Sequence, residues 1–182
     1  MGKGTVASLL CQRNEWLALS RSWTTRKRRA GESEAAYVFV DHAHFKATVE
    51  AEGFLEWAWF LDNLYGTPVP GDEYAGCERH LLLEIDVQGA AQVRDRVPGA
   101  VIVVLLPPSE EELRRRLQGR GDDPSHVMAR MRLATEEIKS AIAVGARGVV
   151  NDDLEQAVAE VGDIFRAAVE ERCGHSQPVC QP

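Results

Sequence analysis

Three groups of side chains in this sequence are spaced for anion chemistry, and one carboxylate stands apart from them. The chain opens Met1-Gly2-Lys3-Gly4-Thr5, the second half of the phosphate-binding pattern G-x-x-x-x-G-K-[ST], with Gly4 standing between lysine and threonine. Glycines let backbone N–H groups curl round an anion, the lysine reaches outer phosphates, and a hydroxyl helps to hold Mg2+. An ordinary chain start is the competing reading. Further on, Ser22-Trp23-Thr24-Thr25-Arg26-Lys27-Arg28-Arg29-Ala30-Gly31-Glu32 sets four consecutive cations behind hydroxyls. Arginine forks match phosphate oxygens two bonds at a time, although such runs are more commonly solvated charge. A third group, Arg114, Arg115, Arg116, Arg120, Arg130 and Arg132, falls within nineteen residues. On a plain helix these would form a solvated face. Last, Glu56 stands between apolar neighbours, where period two alone makes it a strand carboxylate facing water. Tyr37 and Tyr65, taken singly, read as packing residues.

The elements that must carry these groups alternate between helical and strand patterns. Residues 1–14 read as a helix with Val6, Leu9 and Leu10 on one side. Ser20–Gly31 is polar and basic, hence a loop. Ala36–Val40 is a short strand, and Asp41 is an N-cap for a helix with Phe45 and Val49 on its apolar face, ended by Gly53. Phe54–Phe60 and Leu64–Val69 are strand-like; Gly71–His80 takes no assignment. Leu81–Val87 is a strand ending in acids, followed by a short helix over Gly89–Asp95. Ala100–Leu106 is the cleanest buried strand, stopped by Pro107-Pro108. Ser109 with Glu112 makes a capping-box pattern. Pro124–Val144 is a long helix, Gly148–Val150 a strand, Asp153–Glu171 a final helix, and Gly174–Pro182 a loose tail. Strands alternating with helices imply an α/β layered fold around a mostly parallel sheet.

With 182 residues, the chain is expected to form one domain, residues 1–172, and a tail over 173–182. A net charge of −7 argues against a general nucleic-acid binder. The longest apolar run, Ala100–Leu106, is too short to span a bilayer, and no signal-peptide pattern opens the chain. The cysteines, Cys11, Cys77, Cys173 and Cys180, form no CxxC pair, so free thiols in a reducing cytoplasm are expected and a zinc site is not. Oligomeric state is not legible.

The string Ser-x-Thr-Thr-Arg-x-x-Arg-x-Gly-Glu resembles the acceptor loop of the guanylate kinase family. The resemblance continues in register through Tyr37-Val38-Phe39-Val40, Phe54-Leu55-Glu56-Trp57-Ala58, Leu64-Tyr65-Gly66-Thr67, Leu83-Glu84-Ile85-Asp86-Val87-Gln88-Gly89, Pro107-Pro108-Ser109, Leu117-Gln118-Gly119-Arg120-Gly121 and Val149-Val150-Asn151-Asp152-Asp153. It covers Gly2 to about Ala168.

This resemblance implies a P-loop NTPase-type three-layer fold, with a small GMP-binding subdomain at about 20–86 and a lid at about 114–132. It implies transfer of the ATP γ-phosphoryl group to GMP, giving ADP and GDP, with Mg2+. Arg26, Arg29, Tyr37 and Tyr65 match the family's acceptor-phosphate ligands. Glu56 matches its guanine reader, and Ser22, Thr67 and Asp86 match the other base contacts. Gly2, Lys3, Gly4, Thr5, Arg116 and Arg120 match the ATP site, with Lys3, Arg120 and Arg130 as the catalytic cations and the Thr5 hydroxyl on Mg2+. Arg132 competes with Arg130, and Lys27, Arg28, Arg114 and Arg115 stay with the solvated-charge reading. The implied partners are the two nucleotides, not nucleic acid or membrane.

The chain also departs from the family pattern. The strand before the phosphate loop and most of the loop are not in the sequence, so the first core strand is expected to be missing. Pro70, Gly71 and Gly76 replace helix formers in Val69–His80. The reading from another class is a guanylate-kinase-like module that binds nucleotide or a phosphopeptide without catalysis.

Overall fold

Asp41, Asp86, Ser109 and Asp153 each stop an extended segment and start a helix, because a short oxygen-bearing side chain satisfies an N–H that the first helical turn leaves open. Asp41 accepts from His44 N at 2.7 Å, Asp86 from Gly89 N at 2.9 Å, Ser109 from Glu112 N at 3.1 Å and Asp153 from Gln156 N at 2.9 Å. In the computed structural model, which describes residues 2–60, 62–74, 78–118 and 124–174, the chain forms two compact units. One is Glu15–Ala100; the other joins Met1–Asn14 to Val101–Pro182.

Helix α1 (Lys3–Arg13) belongs to the second of these units; in the unit Glu15–Ala100, strands β1 (Leu17–Leu19), β2 (Trp23–Thr24), β3 (Val38–Phe39), β4 (Phe54–Phe60), β5 (Asn63–Pro68) and β6 (His80–Leu82) accompany helices α2 (His42–Glu50) and α3 (Val87–Arg96). The order β3-β2-β5-β4 makes a four-stranded sheet, with β2 parallel to β3 and antiparallel to β5, and β4 and β5 a hairpin. Its core is Phe45 of α2 stacked on Phe54 at 4.4 Å, with Leu64 beside them and Trp23, Val40, Val49 and Trp57 packed around. Gly66 is required in β5 because a Cβ there would stand 3.0 Å from both the Phe45 and Phe54 rings. The outer edge of β4 is closed by α3. Gln92 donates to Trp57 O at 2.7 Å and accepts from Trp57 N at 3.2 Å, and Arg96 donates to the Phe54 and Leu55 carbonyls. A separate parallel pair, β1 with β6, leads into the Asp86 cap.

The second unit contains α1 (Lys3–Arg13), β7 (Val103–Leu106), α4 (Glu110–Gln118), α5 (Pro124–Ala143), β8 (Arg147–Val150) and α6 (Leu154–Gly174). β7 and β8 pair in parallel across a helical crossover. Val6, Ala7 and Leu10 bury one face of α1; Leu10 packs toward Gly162 of α6, and Arg13 bonds Glu155 on the surface. The α/β class with mostly parallel pairing is as the sequence implies.

Several boundaries differ from expectation. Ser20–Gly31 is not all loop, because Thr24 docks β2 onto β5. β1 carried no assignment, its three residues being too few to show a period. The strand expected through Val87 ends at Leu82, since the Asp86 cap turns the chain into α3. Among the described residues of Gly71–His80 there is a 3-10 turn, Asp72–Tyr74, and β6 begins at His80. The Glu112 side chain does not complete the capping box: it turns to Arg115 and Arg116 instead. Cys11 is a free thiol, but Cys173 is disulfide-bonded, against the expectation of free thiols; cysteine pairing does not follow from spacing alone. Among the described residues no helix is long and apolar enough to cross a membrane.

Candidate active site

The hydroxyls ahead of the basic loop anchor it. Thr24 is fully buried; its Oγ1 donates to Leu64 O at 3.0 Å and accepts from Arg26 N at 3.1 Å. Thr25 Oγ1 accepts from Leu64 N at 2.9 Å. Both therefore fasten the start of the loop to the residue before Tyr65. Arg26 is thereby set beside the aromatic side chains, its guanidinium 5.5 Å from the Tyr37 ring centre and 5.8 Å from that of Phe39. The Tyr37 and Tyr65 rings lie 6.1 Å apart, and the Tyr65 hydroxyl is in hydrogen-bonding reach of Arg26. Burial, then the Glu84 carboxylate, raise the Tyr37 pKa, so its hydroxyl stays a donor. Arg26, Tyr37 and Tyr65 thus converge. Arg29 is exposed on the same loop, as are Lys27 and Arg28, and Arg28 bonds Glu34 at 3.1 Å.

Glu56 does not face water. Along β4 the buried residues are Phe54, Glu56 and Ala58, so the carboxylate sits in the interior phase of the strand, 4 % exposed. Its register partner Thr67, itself fully buried, donates its hydroxyl to Glu56 Oε1 at 2.5 Å. Burial raises the Glu56 pKa above the ordinary carboxylate value; the Thr67 hydroxyl opposes that shift and the Asp86 charge adds to it. Asp86, the cap of α3, is thus close enough to act on Glu56, and Gly89 in the first turn of α3 lies directly against the carboxylate. Ser22 is half-buried one residue ahead of β2, its carbonyl accepting from Val38 N at 3.0 Å. Of the eight acceptor-site residues read from the sequence, two clusters form within this one unit: Glu56, Thr67 and Asp86, and Arg26, Tyr37 and Tyr65.

In the other unit Gly2 adopts φ 78°, a left-handed conformation suited to glycine, and caps α1 without a side chain. Lys3, Gly4 and Thr5 form the first turn, where main-chain N–H groups have no intrahelical acceptors. A Cβ on Gly2 would stand 3.0 Å from Asn151 Nδ2, and Asn151 O accepts from Arg116 Nη1 at 3.0 Å. Asn151 thus links the helix start to Arg116, whose Nε donates to Glu112 at 2.6 Å. Glu112 is held down to a pKa of about 2 by Arg115 and then Arg116. On α5 Arg130 is half-buried and Arg132 exposed. Arg120 lies outside the described residues, as do Gly119 and 121–123 of the expected lid.

Four participants escaped the sequence reading: Thr24 and Thr25 as anchors, Glu32 as the partner of Arg26, and Gly89 as the space beside Glu56. Paired hydroxyls immediately before a cation run are the signal that could have found the first two.

A glycine-lysine helix start in one unit, and a buried carboxylate near an arginine–tyrosine cluster in the other, are parts suited to an α/β phosphotransferase acting on a nucleotide. The family model described as guanylate kinase matches residues 1–168. A guanylate kinase of Thermus thermophilus is 46 % identical over 170 residues, spanning 92 % of this chain and 76 % of the relative. One from Trichodesmium erythraeum is 42 % identical over 168 residues, 91 % and 90 % of the two chains. The crystal structure of guanylate kinase from Anaplasma phagocytophilum superposes with a TM-score of 0.72 at 33 % identity, covering 91 % of this chain and 81 % of that one. The chain belongs to the guanylate kinase family.

Proposed function

We propose that this chain is a GMP kinase that moves the γ-phosphoryl group of ATP to GMP, giving ADP and GDP and serving GMP recycling in purine nucleotide metabolism. The observation that carries the acceptor assignment is the buried Glu56 carboxylate, fixed by Thr67 in the same unit as the Arg26–Tyr37–Tyr65 cluster. Guanine presents N1–H and N2–H2 side by side, and an ionised carboxylate accepts both; adenine offers an acceptor at N1. Ser22, Thr67 and Asp86 complete the base site in this reading, and Arg26, Arg29, Tyr37 and Tyr65 hold the phosphate.

ATP is read onto Gly2, Lys3, Gly4, Thr5, Arg116 and Arg120, with Lys3, Arg120 and Arg130 compensating charge on the transferring group. The GMP phosphate oxygen is itself the nucleophile, so no catalytic base is needed. Among the described residues no group of three His, Cys, Asp or Glu gathers for a metal. An exposed Thr5 hydroxyl in the first turn of α1 fits a Mg2+ that arrives on a nucleotide and keeps phosphate and water ligands. When bound, it neutralises phosphate charge.

A binding module without catalysis is not favoured, since a phosphopeptide reader has no use for a guanine-reading carboxylate together with a phosphate-loop lysine. The test is Glu56→Gln, which sets an amide donor against a guanine donor. Its kcat/KM for GMP is expected to fall about ten- to a few hundred-fold, roughly 1–3 kcal/mol. An unchanged value removes Glu56 from the acceptor site.

A further inference from the structure

A guanidinium has two edges that can grip an anion bidentately: its two terminal nitrogens, and Nε with one of them. In Arg26 the terminal edge is taken. Nη1 donates to Glu32 Oε2 at 3.0 Å and Nη2 to Oε1 at 2.7 Å, and Nη1 also donates to Lys27 O at 2.8 Å. The same carboxylate accepts the main-chain N–H of Arg29 at 3.0 Å, and Glu32 N returns a bond to Arg29 O. One acidic side chain therefore holds both residues read as acceptor-phosphate ligands. The pair is well enclosed, Arg26 14 % and Glu32 18 % exposed. Arg26, and to a lesser degree the Arg29 main chain, hold Glu32 at a pKa of about 2, so it is ionised throughout the neutral range. The guanidinium so held has Tyr37 beside it and the Tyr65 hydroxyl within hydrogen-bonding reach.

We propose that Glu32 is a positioning residue for the acceptor phosphate: by gripping the terminal edge of Arg26 and the Arg29 main chain, it fixes the Arg26 guanidinium beside Tyr37 and Tyr65, where the phosphate is read to bind. This rests on the reading of Arg26 as a phosphate ligand. A long side chain on a loop loses rotamer freedom when it grips an anion, and a partner that already fixes it lowers that cost. The opposite role, in which Glu32 is an internal anion that the phosphate must displace, predicts the opposite sign.

Calorimetric titration with GMP and with guanosine, which lacks the phosphate, separates these. Glu32→Gln is expected to weaken GMP roughly tenfold and to leave guanosine within about twofold. Because Glu32 acts through Arg26, adding Glu32→Gln to Arg26→Lys is expected to cost little more than Arg26→Lys alone. Glu32→Asp, which keeps the charge on a shorter arm, is expected to fall between wild type and Glu32→Gln; if Glu32→Gln does not fold, it still weakens GMP and not guanosine. GMP binding that is unchanged or tighter in Glu32→Gln, or guanosine weakened as much as GMP, overturns the role of Glu32. GMP binding unaffected by Arg26→Lys overturns instead the reading on which it rests.

Discussion

Gly89 gives Glu56 the room it stands in: a Cβ on Gly89 would lie 2.4 Å from Glu56 Oε2 and 3.0 Å from its carboxyl carbon. The same Cβ would stand 3.3 Å from Ile85 Cβ, and Gly89 N is bound to the Asp86 cap. Neither the helix start nor a carboxylate on β4 can give way freely. Gly89→Ala is therefore expected to push the carboxylate out of its place and lower kcat/KM for GMP by about tenfold or more. Steady-state kinetics check this, with the free protein's unfolding midpoint showing whether the change reaches beyond the site.

The pKa of Glu56 makes base recognition pH-dependent with a definite sign. Guanine requires the ionised carboxylate, and burial raises the Glu56 pKa. Affinity is expected to decline on acidification at a pH above that at which an ordinary glutamate protonates. For the free protein the linkage runs the other way: a raised carboxyl pKa gives a stability contribution that is full below the unfolded-state pKa and is lost as pH rises through the folded one. Guanosine binding as a function of pH isolates the effect from the titration of the GMP phosphate. Thr67→Val removes the hydroxyl that favours the charged form, so its decline should begin at higher pH; a profile identical to wild type would mean that Thr67 does not tune Glu56.

Arg26 and Arg29 are expected to be unlike Arg28. Lysine keeps the charge and loses the fork. Arg26→Lys and Arg29→Lys should each raise the Kd for GMP, whereas Arg28→Lys, on an exposed residue paired with Glu34, should change it by less than about twofold. Equal effects at all three positions would point to a diffuse basic patch.

Much of this is legible in the residues alone, and what is not has a physical cause. Asp41 and the Phe45/Val49 spacing specify α2, because a cap and an i, i+4 apolar pair act locally. Glu56 shows the limit of local reading. Period two correctly pairs it with Phe54 and Ala58, yet period two cannot say that a carboxylate belongs to the buried set, since the Thr67 hydroxyl that makes burial tolerable is eleven residues away on another strand. Glu32 was hidden for a similar reason: in a run of charges, spacing does not reveal which acid faces which cation. Gly89 was read only as the start of a helix, while its necessity comes from a side chain on β4. Two-residue strands such as β2 carry no period at all and exist because Thr24 and Thr25 bind Leu64.

The stacking of Phe45 on Phe54 connects the stability of the acceptor unit to its chemistry. Phe45 is wholly buried, and it is the large side chain through which α2 meets the hairpin. Its ring also touches the space over Gly66, the residue between Tyr65 and Thr67. Phe45→Ala leaves a cavity among Phe54, Leu64 and the side chains packed around them, and β5, whose Gly66 faces the Phe45 ring, stands next to it. A loss of about 3–5 kcal/mol of folding free energy is expected, measurable by denaturant titration. The functional consequence follows from Gly66. If β5 shifts to fill the void, Tyr65 and Thr67 move with it, so guanosine and GMP affinity should both fall, in contrast to Glu32→Gln, which should spare guanosine. Phe45→Leu retains most of the volume and should restore both affinities together with most of the stability. A Phe45→Ala protein that is destabilised yet binds guanosine and GMP normally would show that β5 keeps its position without the stack, and that the hairpin is set by its own register and by Thr24 and Thr25.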